Sequence, residues 1–269
     1  MKKILITGAT DGIGLETAKF AASQGHHLLM HGRSEVKLKA AVEAVKQTAP
    51  NTTIDSYLAD LSTFSDIALL TRSVLEQHST LDVIINNAGI FKTAHRITED
   101  NLDVRFVVNT FAPVILTQGL LPILADDGRI VNLSSAAQAP IDVNAMSGET
   151  MLSDDFQAYA QSKLALTIWT QEVAKSLKPN QVCVAVNPAS MLASKMVKDG
   201  FGVAGNDLNI GVQILMKAAT DDEFATASGK YFDNDAQRFS PPHPFALSEE
   251  NCAKVISELN SMITKYTNE

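Results

Sequence analysis

Short apolar, β-rich runs alternate with longer amphipathic stretches along the whole chain, and nothing else in the sequence constrains the fold as much. Strands are predicted at Lys3–Thr7, His27–His31, Ile54–Leu58, Leu81–Asn86, Arg129–Leu133, Val182–Val186 and Lys230–Phe232. Helical spacing fills the intervals at Gly12–Gln24, Glu35–Thr48, Ser65–Gln77, Asn101–Leu121, Gln157–Leu177 and Leu208–Ala219, and a last helix covers Ser248–Tyr266. Runs that are continuously apolar, rather than alternating, belong to strands covered on both faces. Strand then helix, repeated this often, means a parallel sheet with right-handed crossovers. The expectation is an α/β fold: one doubly wound domain over 1–269, with a mostly parallel seven-stranded sheet and helices on both faces.

The composition excludes several classes of function. The 269 residues carry 22 Lys plus Arg against 30 Asp plus Glu, a formal charge of −8, and no basic block. Phosphate backbones need clustered positive charge, so nucleic acid is excluded as the main partner. Cys183 and Cys252 stand far apart in apolar stretches, outside any CxxC pattern. They read as reduced thiols in a reducing compartment, and the expected location is cytoplasmic. Lys2-Lys3 precede only three apolar residues before Thr7-Gly8, too few for a secretory h-region. The apolar stretch Val107–Ala125 is interrupted by Asn109, Pro113, Gln118 and Pro122, which favours a buried helix over a membrane span.

Thr7-Gly8-Ala9-Thr10-Asp11-Gly12-Ile13-Gly14 joins the first strand to the first helix. Its glycines are spaced GxxxGxG, a variant of the GxGxxG dinucleotide fingerprint. Glycines let backbone turn sharply against a pyrophosphate, whose charge then rests at a helix N-terminus. A turn of this kind, directly after the first strand of a parallel series, points to a nucleotide and to a Rossmann fold. The end of the second strand then selects the cofactor. An acidic residue there would bond the ribose hydroxyls of NAD, whereas Arg accommodates the extra phosphate of NADP. The segment reads His31-Gly32-Arg33-Ser34, with glycine in the acidic position and a guanidinium after it. NADP(H) is preferred and NAD(H) stays open, with Glu35 assigned to the helix start.

Tyr159 and Lys163 are four apart at the start of a helical stretch, which puts both side chains on one face. An ammonium beside a phenol favours the phenolate and makes Tyr a usable acid/base near neutrality. Upstream, the strand Arg129–Leu133 runs into Ser134-Ser135, which brings a hydroxyl to the sheet edge where open α/β folds bind ligands.

Together these residues resemble the short-chain dehydrogenases/reductases, in the family's order from the glycine turn to about Ser194. The resemblance rests on Thr7 to Gly14, Asp60-Leu61, Asn86-Asn87-Ala88-Gly89, Asn109, Ser134-Ser135, Tyr159 with Lys163, and Asn187-Pro188. The tail Ser228-Gly229-Lys230-Tyr231-Phe232 looks like the retinol-dehydrogenase-like branch. The resemblance implies an oxidoreductase interconverting a carbonyl and an alcohol by hydride transfer. Tyr159 would be its general acid/base, Ser135 would bond the carbonyl oxygen, Lys163 would hold the nicotinamide ribose, and Asn109 would orient a water in a relay to Lys163. The cofactor would be lined by Gly8, Thr10, Asp11, Gly12, Ile13, Gly14, Arg33, Ser34, Asp60, Leu61, Asn87, Ala88, Gly89, Pro188, Ser190 and Ser194. Asp60 and Leu61 would flank the adenine, and Asn87, Ala88 and Gly89 the adenosine-side ribose.

The sequence departs from the family pattern at three places. Ala189 replaces the usual Gly after Pro188, and Ser194 stands for the usual Thr. The interval from Ser135 to Tyr159 is also long. Ala189 fits only if its φ is negative; otherwise the loop must shift. The irregular segments 136–156 and 190–208 read as a substrate loop and a lid, the latter bearing Met191, Leu192, Met196, Val197, Phe201 and Val203. Asp154 and Asp155 read as helix caps, and His27 and His31 as ordinary strand residues with no metal between them. Family members often pair through two long helices, here Asn101–Leu121 and Gln157–Leu177, which leaves a homo-oligomer open. A nucleotide sensor without chemistry is the rival from another class.

Overall fold

The first apolar run becomes strand β1 (Lys3–Ile6), in which Ile4, Leu5 and Ile6 are wholly buried. In the computed structural model, which describes residues 1–267, β1 lies inside one sheet of order β3-β2-β1-β4-β5-β6-β7-β8. Strands β2 (His27–Gly32), β3 (Ile54–Leu58), β4 (Leu81–Asn86), β5 (Leu124–Leu133), β6 (Val182–Asn187) and β7 (Tyr231–Asp233) run parallel to it. Strand β8 (Arg238–Ser240) pairs antiparallel with β7, so the sheet has eight strands and not the seven expected. Three residues returning through a tight turn are too few to show a period in the sequence. The chain winds outward from β1 through β2 to β3, then restarts at β4 on the other side of β1. That reversal is the switch point at which ligands of open α/β sheets bind.

Alternate residues of each strand feed two separate cores, as a period of two requires. Ile4, Ile6, Leu28, Met30, Val83 and Ile85 face helices α1 (Gly12–Ser23), α2 (Glu35–Thr48) and α9 (Leu208–Thr220). Leu5, Leu29, Ile84 and Ile130 face α3 (Phe64–Gln77), α5 (Ala112–Leu120) and α7 (Asp155–Val173). Burying each such side chain contributes about 1.5–3 kcal/mol.

The helix expected over Asn101–Leu121 is not uniform. It begins as α4 (Val104–Phe106), passes through a π-helical turn at Val107–Phe111, continues as α5, and closes in a 3₁₀ turn at Leu121–Ile123. By length and composition Val104–Ile123 could cross a membrane, with a mean hydropathy of 1.6, yet two-thirds of it is buried within this fold. Its one guanidinium, Arg105, is fully buried and ion-paired with Asp103 (2.6 Å) and Asp155 (2.5 Å). This buried triad ties the start of the π-bulged helix to the start of α7. Breaking such a pair from one side costs about 3–5 kcal/mol, because a charge is left without compensation. The last helix, α10 (Glu249–Thr267), packs on α7, α3 and α6 (Val143–Met146), with Tyr266 stacked on Phe64 at 4.5 Å. The outer side of α7 is thereby covered from within the chain.

Candidate active site

Strands β1, β4, β5 and β6 all end at one edge of the sheet, and α7 passes alongside. Asp154 caps α7, its Oδ1 accepting the Gln157 N–H at 2.9 Å, as the sequence suggested. Asp155 instead serves the Arg105 triad and also meets Arg96 at 3.2 Å. So anchored, α7 presents Tyr159 and Lys163 on one face, with Lys163 Nζ 5.7 Å from the centre of the Tyr159 ring. Ser135 leaves the end of β5 beside the Tyr159 hydroxyl, whose ionisation its side chain favours. Ser135 Oγ also accepts the Ala137 N–H at 3.0 Å, which leaves its own O–H free to donate. Ser134 points elsewhere, to Thr167 Oγ1 at 2.7 Å.

Electrostatics here differ from the sequence expectation. Burial pushes the Tyr159 hydroxyl above its ordinary value of 10, opposed by the nearby Ser135 side chain. Burial also lowers Lys163 to about 8. Lys163 Nζ donates to the Leu133 carbonyl at 2.7 Å, and desolvation of both groups outweighs any help the amine gives the phenol. Asn109 sits in the π turn, fully buried. Its Nδ2 donates to the Ile90 carbonyl (3.0 Å) and Ser162 Oγ (2.9 Å), and its Oδ1 accepts the Ile90 N–H (2.9 Å). Both amide protons are thus engaged by protein, and Asn109 fixes the β4 loop against α7. Gly89 lies between Asn109 and Lys163.

The glycine turn is held from two sides. Gly8 has φ +66°, and a Cβ on Gly14 would collide with the Gly8 carbonyl oxygen and the Asn87 amide. Asn87 Nδ2 donates to the Thr7 (2.8 Å) and Gly8 (3.1 Å) carbonyls, and Ala88 N–H bonds Thr7 Oγ1 at 3.0 Å. Asn87 and Ala88 therefore brace the turn. Asp11 caps α1 through the Gly12 N–H, and Ile13 packs toward Gly211. Thr10 fills the space where a side chain at Gly32 would stand.

Beyond Gly32, Arg33 is exposed and forms no ion pair among the described residues. Ser34 begins α2 without using its side chain as a cap, while Glu35 is engaged by Lys39 at 2.6 Å. Asp60 Oδ1 accepts from Ser62 N–H (3.0 Å) and Oγ (2.8 Å). Leu61 sends its side chain into the core, so only its backbone can face a ligand.

After β6, Pro188 is buried and its carbonyl accepts Asn234 Nδ2 at 2.9 Å. Ala189 has φ +121°, a glycine-type conformation held by an alanine, so the condition under which it fits without strain is not met. Ser190 is bound through N–H (2.8 Å) and Oγ (2.5 Å) to Asp235. Ser194 caps α8 (Lys195–Phe201) and lies 3.7 Å from where a Gly12 side chain would begin. At the far end of α8, Gly200 abuts the Phe91 ring, and Lys92 Nζ bonds the Gly200 carbonyl at 3.1 Å. The segment thus reaches from the glycine turn to an aromatic group of Phe91, Phe156 and Tyr159, with ring centres 6.4 and 5.3 Å from Phe91.

Phe91 and the Arg105 triad lay outside the sequence reading. An aromatic two residues past the Asn-Asn-Ala-Gly run was the available signal for Phe91. Asp103-x-Arg105 carried none, because its partner Asp155 is 50 positions away.

The residues present fit a dinucleotide: a glycine turn opening a helix, an unpaired Arg beside an unused hydroxyl, and a phenol–amine–hydroxyl group at the same sheet edge. The short chain dehydrogenase family profile matches residues 2–201. Human retinol dehydrogenase 13 is 30% identical over 276 aligned positions, covering 96% of this chain and 83% of that protein. Among solved structures, an uncharacterized protein of Mycobacterium paratuberculosis superposes with a TM-score of 0.79 at 25% identity, covering 98% of this chain and 94% of the other. A short chain dehydrogenase of Shigella flexneri 2a complexed with NADP gives 0.68 at 24% identity, over 87% of this chain and 97% of that one.

Proposed function

This chain belongs to the short-chain dehydrogenase family, in its retinol-dehydrogenase-like branch, and is an oxidoreductase of CH–OH and C=O groups; on that premise we propose that it is an NADP(H)-dependent carbonyl reductase with Tyr159 as its acid. The observation that carries this reading is the convergence of Tyr159, Ser135 and Lys163 at the end of β5. Bound NADPH supplies the hydride. Tyr159 gives its proton to the carbonyl oxygen as negative charge develops there, and the free O–H of Ser135 donates to the same oxygen. Lys163, held on the Leu133 carbonyl, sits where it can bind ribose hydroxyls and return a proton toward Tyr159. Asn109 acts by positioning, since its amide fastens Ile90 and Ser162.

Three features favour NADP(H) over NAD(H). Thr10 occupies the space a carboxylate at position 32 would need, Arg33 is free to pair with a phosphate, and Ser34 has an unused hydroxyl. Phe91 and Phe156 beside Tyr159 suit a small-molecule substrate with an apolar group next to its carbonyl. We take 190–208 as the lid over that substrate and 136–156 as its outer wall. Helix 104–123, mostly interior, fits a cytoplasmic chain, and pairing of copies through α7 would require α10 to move.

The test is Tyr159→Phe, assayed with NADPH and a panel of aldehydes and ketones. Turnover should fall by about 10²–10⁴-fold with cofactor affinity retained. A variant as active as the parent would refute the reading, and a wild type inert toward every substrate while binding NADPH would favour the sensor.

A further inference from the structure

The glycine turn depends on a residue that the catalytic reading does not use. His31, at the end of β2, is 3% exposed. Its Nδ1 accepts the Gly8 N–H at 3.1 Å, and its Nε2 lies 3.0 Å from the Ala59 carbonyl at the end of β3. The two partners fix the tautomer. A backbone N–H can only donate and a carbonyl can only accept, so Nδ1 is bare and Nε2 carries the proton. The main chain of His31 holds the next residue of the turn as well, its carbonyl accepting the Ala9 N–H at 2.8 Å. With Asn87 on the Gly8 carbonyl, both polar groups of Gly8 are bound, and one of them by an imidazole.

A second proton on that ring would set N–H against the Gly8 N–H, and the turn would have to move. We infer that His31 is a positioning residue for the glycine turn, and that its clamp makes dinucleotide affinity acid-sensitive. The inference rests on the dinucleotide reading of the turn. Burial holds the imidazole below its ordinary value, partly offset by the Ala59 hydrogen bond and the Asp60 charge, so it is neutral at physiological pH and the clamp is closed. The other ionisable groups nearby do not take over the ring. Asp60 engages Ser62, and Asp66 at the head of α3 accepts the Asp60 N–H at 2.8 Å. Tyr57, its register neighbour on β3, turns its hydroxyl to Gln77 and His78. Asp11 caps α1, and β1 brings only Ile6 and Thr7 to this end.

The experiment is calorimetric titration of wild type, His31→Asn and His31→Gln with NADP⁺, between about pH 8 and about pH 5. Asn keeps an acceptor near the Nδ1 position and cannot titrate; Gln reaches toward Ala59 and leaves the Gly8 N–H without a partner. The NADP⁺ 2′-phosphate titrates near pH 6 itself, so the readout is the difference between proteins and not the slope of one. At the alkaline end, His31→Asn should bind like wild type and His31→Gln about tenfold more weakly, the scale of one buried hydrogen bond. On acidification the wild type should lose affinity that His31→Asn keeps, the gap widening toward the acid end of the range. The inference is overturned if His31→Asn follows the wild type throughout, or if His31→Gln binds as tightly at the alkaline end. Should a variant not fold, ¹⁵N resonances of the wild-type ring decide the matter without one. The Gly8 amide must shift in step with His31 protonation, and an unmoved amide overturns the clamp. A wild type that binds no NADP⁺ at any pH defeats the dinucleotide reading, while the resonance measurement still tests the clamp.

Discussion

Lys163 Nζ lies 5.7 Å from the centre of the Tyr159 ring and donates to the Leu133 carbonyl, so the amine is stationed beside the phenol by the end of β5. The arrangement has a cost. Burial lowers Lys163 to about 8 from 10.5, so the folded chain holds this proton less tightly than the unfolded one. The destabilisation is fully present below about pH 8 and fades as pH rises toward 10.5.

Lys163→Met should therefore abolish turnover yet raise stability at neutral pH by about 1–3 kcal/mol, after allowing for the carbonyl it leaves unbonded. Urea midpoints of both proteins check this. The gap should be widest near neutrality and narrow above about pH 8. A gap that is constant across pH would show that the lysine is not the source.

Arg33 stands at the end of β2 without an ion-pair partner among the described residues. Arg33→Ala should weaken NADPH about 10–100-fold, the worth of a charge-assisted hydrogen-bonded pair, and leave NADH nearly unchanged. Equal weakening of both would assign Arg33 a structural task in place of phosphate recognition.

Ala189 at φ +121° is a side chain in a glycine conformation. Ala189→Gly should relieve strain and stabilise the chain by about 0.5–1 kcal/mol net, even though glycine gains freedom in the unfolded state. Thermal unfolding reads this directly, and a lower melting temperature in the variant would contradict it. The sequence could pose the question at this residue but not answer it, since a backbone angle is set by the loop and its anchors, here Asp235 on Ser190 and Asn234 on Pro188.

The same boundary between local and distant information runs through the rest of the molecule. Glu35–Thr48, Ile54–Leu58 and Leu81–Asn86 were legible to the residue, because burial on one face imposes a period and burial on both a continuous apolar run. The π turn around Asn109 was not, since one extra residue per turn hardly disturbs a uniformly apolar stretch. The placement of Tyr159 beside Lys163 on α7, and of the glycine turn at the head of α1, was readable from spacing. From sequence, His31 reads as an ordinary strand residue, because both its ring partners are backbone atoms, which leave no trace in side-chain patterns. Arg105 carries no sequence signal because its meaning depends on Asp155 across the fold.

The short return strand β8 also bears on how copies of this chain behave when crowded. It is three residues long and is followed at once by Pro241 and Pro242, which have no N–H to offer a newcomer. That margin of the sheet is a poor template for runaway stacking, which leaves β3, at the opposite margin, as the edge open to pairing with another copy.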